Sequence, residues 1–245
     1  MTAANPLKEP NSEHTAPSSN GSSKAPVVCV FCGASPGKSP AHLDAARQLG
    51  RKLHENGMKL VYGGGTVGIM GEVAKTLVSL SGPEAVHGVI PAALMEFERR
   101  FDENGVEVEA SKLEAQKLID EKTFGRTTVV KDMHTRKQMM AREVIDGGPG
   151  GGFVALSGGY GTLEELMEVV TWNQLGIHAR GIVVFNVEGY WDGLIQWVNK
   201  AVDSGFIAGK NKGILVESTT AEDVVEQLKT YKISEARFNL QWEEK

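Results

Sequence analysis

The sequence predicts a Rossmann-like, doubly wound α/β fold, a mostly parallel sheet with helices on both faces. Three observations predict it. Short apolar runs alternate along the chain with segments of helical period, the order that builds βαβ units. Several runs are continuously apolar rather than alternating, as expected when both sheet faces are covered. Glycine turns follow some of the runs, at the strand carboxyl ends where such sheets bind ligands.

The elements follow in order. Residues 1–25 are polar, rich in Pro, Ser, Asn and Thr, and are expected to form a disordered tail. That tail has no Arg and carries Glu9 and Glu13, which argues against a transit peptide. A single domain is expected over residues 26–232, followed by a C-terminal extension at 233–245. Strands are predicted at 27–32, 59–62, 86–90, 127–130, 153–156, 181–185 and 214–216. Helices are predicted at 40–56, 68–81, 133–146, 162–175, 190–204 and 221–231. The charged stretch 104–122 is expected to form an excursion or an extra helix over the site, and Gly147 to Gly152 a plain flexible connection.

Composition excludes several function classes. The 245 residues carry a net charge of −5, which leaves no excess of cations to neutralise a nucleic-acid backbone. No apolar run approaches the roughly 20 residues that span a bilayer, and the N-terminus lacks the apolar core of a signal peptide. A cytoplasmic protein with no membrane partner is expected. Cys29 and Cys32 form a C-x-x-C inside an apolar run. On a strand, residues three apart point to opposite faces, so these thiols should be buried, structural and unable to meet. A zinc site would need a second pair of ligands, and no metal is expected.

Four motifs invite phosphate chemistry. Gly63-Gly64-Gly65-Thr66-Val67-Gly68 satisfies G-x-G-x-x-G, but the next strand ends in Ile90-Pro91 without the acid that a dinucleotide's ribose needs. A tight turn lining a nucleotide pocket fits better. Gly33 to Ser39 is one residue too short between its glycines for a P-loop, which would spoil the ring of N–H groups around the phosphates. Ser157-Gly158-Gly159-Tyr160-Gly161-Thr162 joins a strand to a helix. Glycines allow close backbone approach, and helix-start N–H groups with the dipole's positive end attract phosphate. Met133-His134-Thr135-Arg136-Lys137 opens another helix, capped by Asp132. Its Arg136 could serve as an anion or hydroxyl fork or lie on a solvated face. Glu165 stands three residues after Thr162, so it could close a capping box. It would then also be a carboxylate beside the anion site, kept ionised by the dipole.

These segments together resemble the LONELY GUY family of cytokinin-activating phosphoribohydrolases. Its P-G-G-x-G-T-x-x-E motif is matched by Ser157 to Glu165, and its M-H-x-R-K by Met133 to Lys137. The turn Tyr62 to Gly65, Gly68 to Gly71, and Thr171 to His178 agree as well. The resemblance implies hydrolysis of the N-glycosidic bond in cytokinin riboside 5′-monophosphates, with AMP a second substrate. It implies Arg136 and Glu165 as the catalytic residues. Met133, Lys137, Gly158, Gly159, Tyr160, Gly161, Thr162 and Glu164 would bind the nucleoside 5′-monophosphate, without a cofactor, in a homodimer or larger homo-oligomer. In that reading Glu165 stabilises a cationic sugar and orients water while Arg136 fixes the sugar. Ser157 departs from the family's usual Pro, and the region 105–131 matches poorly. Relatives of this family are often labelled lysine decarboxylases, a reading that needs a Schiff-base lysine and an acid at the pyridinium of pyridoxal phosphate. Only Lys131 and Lys137 are near the motifs. A nucleotide sensor or carrier without turnover is the other alternative.

Overall fold

The described strands are β1 (Val27–Phe31), β2 (Lys59–Tyr62), β3 (Val86–Pro91), β4 (Arg126–Val130), β5 (Gly152–Ala155), β6 (Gly181–Phe185) and β7 (Val216–Ser218). They form one sheet in the order β4-β3-β2-β1-β5-β6-β7. Every neighbouring pair is parallel, as the continuous apolar runs predict. The structure is a computed structural model that describes residues 24–98, 119–238 and 240. The tail up to residue 23, the stretch 99–118 and the end of the C-terminal extension lie outside the described residues.

The described helices are α1 (Ala41–Glu55), α2 (Gly68–Ser81), α3 (Ala92–Glu98), α4 (Glu121–Phe124), α5 (Met133–Asp146), α6 (Tyr160–Gln174), α7 (Asp192–Asp203) and α8 (Ala221–Thr230). Two apolar cores sandwich the sheet. On one face Leu49 and Leu53 of α1, Val73 and Leu77 of α2, and Val224 and Leu228 of α8 pack on Val28, Val30, Leu60 and Tyr62. On the other, Met140 and Val144 of α5, with Leu166 and Val169 of α6, cover Cys29, Phe31, Val61 and Phe153. The alternation of β1 puts Cys32 in the first core and Cys29 in the second. Both thiols are free and buried, Cys29 on β1 and Cys32 just past its end.

The order reverses between β1 and β5, whose following loops diverge to opposite sides of the sheet. Such a switch point opens a crevice at the strand carboxyl ends. The Gly33 N–H donates to the Ser157 carbonyl across it at 2.9 Å.

Four expectations shift. The helix expected from Thr162 begins at Tyr160, so Thr162 lies inside the first turn. The strand expected at 214–216 lies two residues further on: Ile214 ends a 3-10 turn, Gly209–Ile214, and β7 spans Val216–Ser218. Three apolar residues were too few to place it, because pairing with β6 starts only at Val216. The helix expected from residue 190 starts at Asp192, after a separate turn, Val187–Gly189. The Gly147 to Gly152 connection is tied down, since Arg180 donates to the carbonyls of Ile145, Gly147 and Gly148.

Candidate active site

Three glycine turns meet at the switch point: Gly33 after β1, Gly63 to Gly65 after β2, and Gly158 to Gly161 after β5. The β1 and β2 loops are joined where the Met70 N–H donates to the Gly33 carbonyl at 3.2 Å. Gly158 permits no side chain, because a Cβ there would lie 2.1 Å from Thr162 Oγ1 and 2.9 Å from the Gly33 nitrogen. Gly159 caps α6, and the first intrahelical bond runs from the Leu163 N–H to the Gly159 carbonyl. The N–H groups of Tyr160, Gly161 and Thr162 therefore have no partner within the helix. They face the dipole's positive end outward, an anion-binding arrangement.

Asp132 accepts the Thr135 N–H at 2.7 Å and caps α5, which fixes Arg136 in the first turn. The guanidinium then lies against Gly63, where a Cβ would be 2.0 Å from its Nη2. Gly63 is thus the clearance through which Arg136 reaches the crevice. From α6, Glu165 comes to meet it, with Arg136 Nη2 and Glu165 Oε1 3.5 Å apart. Each residue is only 7% exposed. Among the described residues, Arg136 Nε and Glu165 Oε1 have no hydrogen-bond partner. Buried polar atoms are nearly always paired, so this close but underbonded pair keeps hydrogen-bonding capacity that the described residues do not use.

Burial pushes the Glu165 carboxyl above its ordinary value, and the Arg136 charge pulls it only part of the way back. Glu165 lies in the second turn of a helix that starts early, so it caps nothing and loses hydration instead. Beneath the pair, burial and the Glu165 charge raise the Cys29 and Cys32 thiols, which keeps both inert at neutral pH.

The remaining predicted residues divide into two groups. Thr162 is buried against Gly158, and Gly159 and Gly161 leave open space where side chains would stand. Met133 touches the site, with its sulfur 3.7 Å from Arg136 Nη1. Lys137 turns away, its ammonium held by Glu164 at 2.6 Å and Glu168 at 3.2 Å. Tyr160 is 95% exposed. With Leu163, Met167, Tyr190, Leu194 and Trp197 it lines an apolar groove of about 640 Å³ beside the glycine turn. His178, part of the third matching segment, is structural. Its Nε2 donates to the Val169 carbonyl and its Nδ1 accepts the Arg180 N–H. Burial holds it neutral, with a pKa of about 4.

The chain is similar to known proteins. A family model described as "Possible lysine decarboxylase" matches residues 70–228. A bifunctional cytokinin biosynthesis protein of Fusarium pseudograminearum is 52% identical over 219 residues, 89% of this chain and 43% of that protein. The chain thus spans less than half of that relative's length. The cytokinin riboside 5′-monophosphate phosphoribohydrolase LOG7 of Arabidopsis thaliana is 42% identical, over 89% of this chain and 88% of its own. The chain belongs to the LONELY GUY family.

Two solved structures share the fold of this LONELY GUY chain. The molybdenum cofactor carrier protein of Chlamydomonas reinhardtii matches with a TM-score of 0.54 at 17% identity, over 84% of this chain and 98% of that one. The molybdenum cofactor binding protein of Rippkaea orientalis gives 0.53 at 17%, over 84% and 97%. The decarboxylase description implies pyridoxal phosphate, and the residues present do not fit it. A Schiff-base lysine must lose its proton. For Lys137 burial favours that loss, but the bonds to Glu164 and Glu168 outweigh it and raise the pKa overall. Lys131 is exposed, and among the described residues its ion-pair partner is Asp132.

Sequence reasoning missed three contributors. Gly63 was legible as a turn but not as clearance for Arg136, a relation between residues 73 positions apart in the chain. His42 and Tyr190 also reach the glycine turn. The one available signal was that both follow strand carboxyl ends, the edge where the motifs gather.

Proposed function

We propose that this chain hydrolyses the N-glycosidic bond of cytokinin riboside 5′-monophosphates, and of AMP, to the free adenine base and ribose 5-phosphate. The observation that carries this reading is the buried, underbonded Arg136–Glu165 pair beside a helix N-terminus built for phosphate. The names of the relatives support the same chemistry. The 5′-phosphate sits on the N–H groups at the start of α6, with Gly158 to Thr162 around it. This places the sugar over Arg136 and Glu165, one helical turn further along. Met133 flanks the guanidinium, while Lys137 and Glu164 brace the two helices behind it.

As the C1′–N9 bond loosens, positive charge develops on the ribose, and the Glu165 carboxylate stabilises it. Arg136 holds the sugar hydroxyls and keeps Glu165 ionised. A water positioned by Glu165 adds its oxygen to C1′, and its proton ends on the departing base. No residue here needs a metal or a cofactor for those roles. The working unit is proposed to be a homodimer or larger homo-oligomer in the cytoplasm. The expected chain organisation, a tail, one catalytic domain and a short extension, is proposed with it.

The test incubates the protein with isopentenyladenosine 5′-monophosphate, AMP and the riboside lacking phosphate, and follows the free base by chromatography. Release from the monophosphates alone is expected. Binding of AMP without any base release would instead make the chain a nucleotide carrier.

A further inference from the structure

The glycine turn is gripped from outside by residues that touch neither Arg136 nor Glu165. The Tyr190 hydroxyl donates to the Gly158 carbonyl. Ser157 Oγ hydrogen-bonds His42 Nδ1 at 3.0 Å. The His42 and Tyr190 rings meet edge-on, with centroids 5.9 Å apart. Two successive residues of the turn are therefore held by one cluster, formed by α1 on one side and the loop after β6 on the other.

That loop is itself rigid. Asn186 is buried, accepts the Trp191 N–H at 2.7 Å and donates to Asp192 and Glu217 at 2.8 and 2.7 Å. The intervening turn includes Glu188 in the left-handed region, φ 52°, a conformation that costs energy unless the surroundings enforce it. The loop is fixed before any ligand arrives, and Tyr190 projects from its end.

The consequence follows from the planarity of the peptide bond. The carbonyl of Gly158 and the N–H of Gly159 belong to one trans peptide and point in opposite directions. Holding the carbonyl fixes where the N–H aims. A glycine pair left alone could rotate this unit at little cost, and an anion site whose donors rotate loses preorganisation.

We propose that Tyr190 and His42 are positioning residues, which lock the Gly158–Gly159 peptide so that its N–H joins the α6 N-terminus in binding the 5′-phosphate. The proposal rests on the phosphoribohydrolase reading and deepens it. Its signature is selective, because the lock acts through phosphate alone. It raises the affinity for phosphorylated ligands and leaves the chemical step to Arg136 and Glu165.

The test measures ribose 5-phosphate binding by calorimetry, together with KM and kcat for AMP. Tyr190→Phe removes the hydroxyl and keeps the ring at a half-exposed position, so folding should survive. His42→Asn is the second variant. Loss of one neutral hydrogen bond predicts roughly fivefold weaker ribose 5-phosphate binding in Tyr190→Phe. KM for AMP should rise by a similar factor, with kcat nearly unchanged. His42→Asn should do the same in a Ser157 background and have a smaller effect once Ser157→Ala has removed its hydrogen-bond partner. Unchanged ribose 5-phosphate affinity in both variants would overturn the lock. So would a fall in kcat with KM unmoved, or equal weakening of the riboside lacking phosphate, since either marks general loosening. Failure of the wild-type chain to bind ribose 5-phosphate would overturn the phosphate reading together with the lock.

Discussion

Helices α5 and α6 are joined by ion pairs at two adjacent positions, a three-residue cluster and a single pair, and the two could hardly differ more. Lys137 meets Glu164 and Glu168 at 2.6 and 3.2 Å, with Glu164 open to solvent. Arg136 and Glu165, one residue along on each helix, are buried, stand 3.5 Å apart and leave polar atoms without partners. The first is complete and fastens the helices together. The second is incomplete, and incompleteness in a buried site is costly unless something else completes it. Arg180 at the other end of α5 makes the same point. It is an arginine with three carbonyl partners, so most of its five donors are spent on stapling a loop.

The largest effect should come from the incomplete pair. Glu165→Gln keeps the shape but removes the charge that answers the cationic sugar, so kcat should fall about 10³-fold while AMP still binds. Calorimetry beside turnover checks this, and near-normal turnover would refute the assignment.

Gly63→Ala attacks the same pair from a distance. The new Cβ would push on Nη2, and a displacement of that size should cost about 10²-fold in kcat/KM. Unchanged kcat/KM would mean that Arg136 can reach its place by another route.

The pH profile probes the charge state. Glu165 is required ionised, and burial raises its carboxyl. The kcat/KM of the free enzyme should therefore fall as pH drops through a value above the ordinary glutamate figure of about 4.3. Stability should move the other way, because the folded state binds this proton more readily than the unfolded one and gains as pH falls through that value. An acid limb that persists in the residual activity of Glu165→Gln would assign it to another group.

The smallest effect should belong to the complete cluster. Lys137→Met should cost about 0.5–1 kcal/mol of stability, read by denaturant unfolding, and change kcat/KM by no more than about threefold. A large loss of AMP affinity would return Lys137 to the substrate, where the family motif first placed it.

Much of this molecule was legible in its residues. The continuous apolar runs determined a parallel sheet covered on both faces, since only burial on both sides makes such strands stable. Strand periodicity determined that Cys29 and Cys32 part company. The two motifs named Arg136 and Glu165, and Asp132 marked the start of α5, because capping is a local contact that spacing encodes. Glu165 looked like a cap because its spacing from Thr162 permits one. α6 begins instead after Gly159, its N-cap, so Tyr160 and Gly161 belong to the helix. That Gly63 clears a path for Arg136, and that His42 and Tyr190 brace Gly158, are contacts between strand ends far apart in sequence. Their spacing along the chain carries no trace of them. Only the stacking of parallel strands, which brings those ends to one edge, could decide them.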